Sequence, residues 1–158
     1  MHTGGLVAGV VLAALVGAFL PVQAGANGLL GRTMGDAMLA TFWSLLTSTV
    51  AVGVVLLVTR PSWPQGMALS KLPAWAWCGG LLGAMYVATA TVFAPRLGAA
   101  VFIVAVVAGQ LVSSLVLDGR GWFGYAMRDL SLGRIVGVLL VAIGCALVTL
   151  STAAKPAT

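Results

Sequence analysis

Five apolar runs dominate the chain, at residues 5–29, 37–59, 74–94, 97–117 and 131–152. Charge or Pro/Gly punctuation separates them: Gly31-Arg32 with Gly35-Asp36, Arg60-Pro61 through Lys71, Pro95-Arg96, and Asp118 through Arg128-Asp129. A helix of about 21 residues is roughly 31 Å long, the thickness of a bilayer's hydrocarbon core. Each run is therefore predicted to cross the membrane as a helix, the first one tilted or kinked at Pro21. No stretch is left for a soluble domain. Residues 1–158 read as one transmembrane domain, an all-α integral membrane protein of five transmembrane helices. Trp63, Trp75, Trp77 and Trp122 fall near the predicted span ends, where amphipathic rings anchor at the headgroup level. Leu6 to Leu20, followed by Val22-Gln23-Ala24, has the outline of a signal sequence. No Lys or Arg precedes the run, so it is expected to stay as the first span.

Composition agrees with the pattern. The chain is 61% hydrophobic and 7% charged, where a soluble domain is about a quarter charged. Its net charge of +5 would suggest nucleic acid as a partner of a soluble protein. Here the basic residues are scattered between apolar runs, so the bilayer is the expected partner and nucleic acid is not. Crossing five times puts Arg60, Lys71, Arg120, Arg128 and Arg134 on the N-terminal side and Arg32, Arg96 and Lys155 on the other. Positive loops favour the cytoplasm, so the N-terminus is weakly biased inward. Such a weak bias permits insertion in both orientations and an antiparallel (inverted) dimer, which would mimic the inverted repeats of larger transporters. A single orientation is the alternative. Cys78 and Cys145 lie in apolar stretches without metal-ligand spacing and read as buried free thiols. His2, near the start of the chain, carries no such role, and no cofactor or metal is expected.

Helices associate in lipid through small residues that let backbones approach. Gly5 and Gly9, Gly79 and Gly83, and Gly133 and Gly137 each place two glycines on one face. The last pair continues to Gly144, which marks the fifth span as the expected dimer-packing helix.

No Asp, Glu, Lys or Arg falls in the middle of a span. Buried carboxylates are the usual proton relays and cation partners, so a mechanism built on one is disfavoured. Asp36 and Asp118 sit near span ends, Asp36 where it would favour the dipole of the second helix. Neutral candidates remain. Gln23 and Asn27 share a face of span one; Trp43 and Thr47, like Ser44 and Ser48, share faces of span two. Tyr86 and Thr89 pair on span three, and Gln110, Ser113 and Ser114 cluster on span four. The hydroxyls read as interhelical glue. A buried amide costs more to leave unpaired, so Gln23, Asn27 and Gln110, with the aromatic Trp43 and Tyr86, form the candidate substrate site. From the run boundaries, Gln23 and Trp43 lie about 9 Å from the far side and Tyr86 about 12 Å, while Gln110 lies about 10 Å from the N-terminal side. Such a mismatch is resolved when the site is shared between oppositely oriented chains.

Several stretches together resemble the YdcZ-like family of the drug/metabolite transporter superfamily. They are Pro21-Val22-Gln23-Ala24-Gly25-Ala26-Asn27-Gly28, Gly79-Gly80-Leu81-Leu82-Gly83-Ala84-Met85-Tyr86-Val87, Pro95-Arg96-Leu97-Gly98, Ala108-Gly109-Gln110-Leu111, Asp118 with Gly121, and Arg134-Ile135-Val136-Gly137. The resemblance covers about residues 5 to 150. It implies five-helix subunits, occurring as dual-topology homodimers, oppositely oriented pairs or ten-helix fusions, in the bacterial inner membrane. Related small multidrug-resistance proteins use a first-helix glutamate; here that region offers Gln23 and Asn27, which weighs against proton-coupled export of cationic drugs.

The expected function is a small multi-pass transporter moving a small polar or weakly cationic solute by alternating access. Gln23, Asn27 and Gln110 would bind by hydrogen bonds, and Trp43 and Tyr86 by apolar or cation–π contact. The alternatives are a non-transporting scaffold or assembly protein, or one subunit of a heterodimer with a related five-helix chain. A channel lacks a charge ring, and an enzyme lacks a nucleophile–base pair or paired acids in the spans.

Overall fold

The computed structural model describes residues 3–62 and 71–153. His2, Trp63 and Lys155 lie outside them. The described chain is helical: α1 Thr3–Gly17, α2 Leu20–Met34, α3 Ala37–Thr59, α4 Cys78–Leu97, α5 Ala99–Arg120 and α6 Leu132–Ala153. Short 3₁₀ turns at Ala74–Trp77 and Trp122–Gly124 precede α4 and follow α5. Five stretches are long and apolar enough to cross a membrane, Gly5–Met34 counting as one.

The first span is interrupted where Pro21 requires it. Proline has no N–H, and its ring crowds the carbonyl four residues earlier, here Gly17. α1 ends at Gly17, Phe19 N–H bonds to Val16 C=O at 3.1 Å in a tighter turn, and α2 begins at Leu20. Asp36 starts α3 as an N-cap, its carboxylate accepting from Leu39 N–H at 2.7 Å. One residue, Gly98, joins α4 to α5 with φ 85° and ψ 148°, a conformation essentially reserved for glycine. Gly121 closes α5 in the left-handed region at φ 62°.

The chain divides into two compact units, Val22–Arg96 and the remainder, Met1–Pro21 with Leu97–Thr158. In the first, α2 buries Ala24, Asn27 and Gly28, α3 buries Ala40 and Thr41, and α4 buries Val87, Ala90, Thr91 and Ala94. The α2 and α4 sets recur at helical spacing and are almost all small, which lets the backbones meet. A Cβ on Gly28 would lie 2.5 Å from Pro95 Cγ, and one on Gly31 3.2 Å from Thr91 Cγ2. The close-packing glycines are therefore Gly28 and Gly31. A Cβ at Gly5, Gly9, Gly79, Gly83, Gly133, Gly137 or Gly144 would meet nothing within 4 Å.

In the second unit α5 packs along α6. An ion pair ties their ends, Arg134 Nη2 to Asp118 Oδ2 at 2.6 Å. The connection folds back on the same residue, with Arg128 N–H bonded to Asp118 C=O at 2.8 Å.

Side-chain hydroxyls correct the expectation of interhelical glue. Thr47, Ser48, Thr89 and Thr91 each donate to the carbonyl four residues back on their own helix, and Ser114 to Leu111 C=O. A short hydroxyl reaches its own preceding turn with no partner helix to order. Cys78, expected to be buried, is exposed at the first residue of α4, and Cys145 is half-buried. Trp75, Trp77 and Trp122 do sit at helix ends, exposed, and the Arg120 guanidinium lies 4.9 Å from the Trp122 ring centre.

Replacing Gly28 by Ala should destabilise the protein by about 1–3 kcal/mol, the usual cost of overpacking, whereas Gly25→Ala, with open space around it, should be nearly silent. Thermal unfolding in detergent compares the two. A double-mutant cycle on Asp118→Asn and Arg134→Gln should return a coupling of about 1 kcal/mol, modest because both side chains are partly exposed.

Candidate functional site

The candidate residues divide between the two units, Gln23, Asn27, Trp43 and Tyr86 in one and Gln110 in the other. α2 carries Gln23 and Asn27 a turn apart, yet their surroundings differ. Gln23 is exposed, while Asn27 is 4% exposed within the small-residue face. The Asn27 Nδ2 has no hydrogen-bond partner among the described residues. An amide buried without a partner costs about 1–3 kcal/mol, a cost the rest of this core, built of Ala, Val, Gly and self-bonded Thr, does not incur.

Trp43 is exposed on α3, edge-on to Phe42 with ring centres 5.8 Å apart and planes at 75°. Tyr86 is half-buried on α4, beside buried Val87. Gln110 is exposed on α5 and lines a cavity of about 320 Å³ with Ser113, Ser114, Leu117, Asp118 and Tyr125. A second cavity of about 350 Å³ lies between α5 and α6, where Asp118 and Arg134 meet Ser114 and Gly137. Asp118 thus faces both, neutralised by Arg134. The apolar run that predicts span four ends at residue 117 and so leaves Asp118 outside the helix. Helix α5 continues to Arg120, which brings Asp118 onto the Gln110–Ser114 face at steps of four residues.

Longer helices also change the depths. α2 runs to Met34, α4 to Leu97 and α5 to Arg120, beyond the predicted ends at residues 29, 94 and 117. Gln23, Tyr86 and Gln110 each then lie about 15–17 Å along the helix from its C-terminal end, near mid-span. Trp43 stays about 9 Å from the start of α3. The depth mismatch between Gln110 and the other polar candidates disappears, so depth no longer argues for a site shared between chains. On α6, Gly133 and Gly137 are exposed and Gly144 half-buried.

Residues 8–147 match a family described as "Putative inner membrane exporter, YdcZ". The inner membrane protein YdcZ of Escherichia coli (strain K12) is 36% identical over 102 residues, 61% of this chain and 68% of that protein. No solved structure matches the chain. With five apolar helices of spanning length and a family match over nearly its whole extent, the protein belongs to the YdcZ family of membrane exporters and is a multi-pass protein of the inner membrane.

Proposed function

We propose that the chain is one transmembrane domain that moves a small polar or weakly cationic solute by alternating access within an inverted dimer. The observation that carries this reading is the buried Asn27 amide, whose Nδ2 has no hydrogen-bond partner among the described residues, in an otherwise small and largely apolar core. A polar group retained there at a cost in stability has the properties of a ligand contact. Gln23, one turn away on α2, and Gln110, at the middle of α5, add hydrogen-bonding amides. Trp43 and Tyr86 supply apolar contact or a cation–π face. The Pro21 interruption gives the first span a place to bend, as discontinuous helices do in transporters. An inverted partner is supported by the odd number of spans and by the near balance of basic residues between the two faces. The Gly133–Gly137–Gly144 stripe, open to close approach, is the proposed seam. A related five-helix chain could occupy the same place as a second copy.

Flux measurements in proteoliposomes test the site. Asn27→Leu should keep or raise the unfolding temperature while lowering flux by about tenfold or more, the value of a lost hydrogen bond to solute. Gln23→Leu should also lower flux. Normal flux in both variants at normal expression would assign these amides to structure, whereas absence of flux in the unaltered protein would favour the non-transporting scaffold reading. Orientation is tested separately. With Cys78 and Cys145 replaced, single cysteines at either terminus of intact cells should be labelled from both faces. Uniform labelling from one face excludes the dual-topology homodimer.

A further inference from the structure

Eight basic residues face only three acids in this chain, so most of its cations cannot find a carboxylate. One acid, Asp118, is taken by Arg134, and Asp36 directs its carboxylate to Leu39 N–H. Among the described residues no carboxylate oxygen comes within 4.0 Å of Arg32 or Arg96. These two arginines come from different helices, near the C-terminal ends of α2 and α4. They nevertheless line one cavity of about 340 Å³ with Gly28, Gly31, Thr91 and Pro95.

The cavity exists because the crossing is built from glycine. At Gly31 the nearest atoms to an added Cβ belong to Thr91, Ala37 and Ala40, so any larger side chain would fill the floor. Arg32 folds back over this crossing, its Nη1 lying 3.7 Å from where a Gly28 Cβ would be. Arg96 lines the same cavity, its guanidinium 6.0 Å from the Phe93 ring centre, a distance that leaves its donors available. Ala37, the first residue of α3, also lines the cavity. The first N–H groups of a helix have no partner within it, and here the Asp36 carboxylate takes Leu39 N–H and its carbonyl takes Ala40 N–H. Thr91 adds no donor, because its hydroxyl hydrogen is directed to Val87 C=O.

We propose that this cavity binds a phosphate group, held between the Arg32 and Arg96 guanidinium groups with the start of α3 beneath it. Two guanidinium forks without acidic partners suit a multidentate oxyanion, and the position at helix ends suits the headgroup level of a bilayer. The phosphate could belong to an anionic lipid or be free in solution, and the binding chemistry is the same. The site is independent of the Asn27 amide and of the solute that the protein carries.

Mass spectrometry of the intact, delipidated full-length protein, titrated with phosphatidylglycerol or with inorganic phosphate, tests the assignment. The double variant R32Q/R96Q should bind phosphatidylglycerol about tenfold or more weakly than the unaltered protein. The control R60Q/R120Q, with the same loss of charge elsewhere, should change little. Its unfolding temperature, and that of the test variant, measured in neutral detergent, establishes that both are folded; R32K/R96K should recover part of the affinity. Displacement of the lipid by millimolar inorganic phosphate assigns the site to free phosphate, and failure to displace it assigns the site to a headgroup. Equal affinity of R32Q/R96Q and R60Q/R120Q for both probes overturns the proposal.

Discussion

Hydrocarbon offers no hydrogen bonds, and nearly every local feature of this protein follows from that constraint. A backbone group left unpaired in lipid costs several kcal/mol, which restricts a spanning chain of this composition to helices. Side chains obey the same rule. Thr47, Ser48, Thr89 and Thr91 bond the preceding turn of their own helix. Asp36 closes the first turn of α3, and Asp118 takes both the Arg134 guanidinium and, through its carbonyl, the Arg128 N–H. Where the chain cannot satisfy the rule, at Pro21, the helix stops and restarts. The Asn27 amide stands out against this background because its Nδ2 breaks the rule inside the core.

The second consequence concerns how the helices hold together. Water expulsion does not drive association within lipid, so contact depends on how closely backbones approach. Within Val22–Arg96, Gly28 on α2 approaches Pro95 on α4 and Gly31 approaches Thr91, with Ala24, Ala90 and Ala94 buried. The same small residues line a cavity with Arg32 and Arg96, which the chain's shortage of acids leaves without carboxylate partners. Packing and the proposed phosphate site therefore share one cause. Filling the Gly31 position would remove both.

Much of this was legible in the sequence, and the limits have physical explanations. Span number, span order and the break at Pro21 were readable because length and hydropathy decide them, and the start of α3 because Asp36 is a strong cap. Helices α2, α4 and α5 run three to five residues past the apolar runs, taking in Arg32, Arg96 and Arg120. A long basic side chain can follow its helix to the interface while its head stays hydrated, so a charge does not mark the last turn. The extension of α5 to Arg120 carries Asp118 within the helix, where it pairs with Arg134, and removes the apparent depth mismatch of Gln110. Glycine spacing alone does not reveal the packing within the chain, which falls at Gly28 and Gly31 beside buried Ala24, a stripe recognised only when alanine counts as small. The Gly133–Gly137–Gly144 stripe stays the proposed seam to a partner. Gln23 and Asn27 look equivalent by spacing, and only the packing of α2 separates an exposed amide from a buried one.

Charge distribution then bears on what the protein can transport. An acid in mid-span would couple transport to protons and select cations; here the carboxylate nearest the interior, on Asp118, is already neutralised by Arg134. The polar groups available near mid-span are amides and a phenol, which carry no charge and bind by geometry. Such groups discriminate by hydrogen-bond pattern, because an analogue that leaves one of them unpaired loses affinity steeply. Among the described residues, in contrast, the basic side chains lie at helix ends or in the connections, where Arg32 and Arg96 would hold the proposed anion without placing a charge in the hydrocarbon. A neutral interior between positively charged ends would keep the two proposed tasks apart: anchoring to phosphate at the surface, and selection of solute by uncharged hydrogen bonds within.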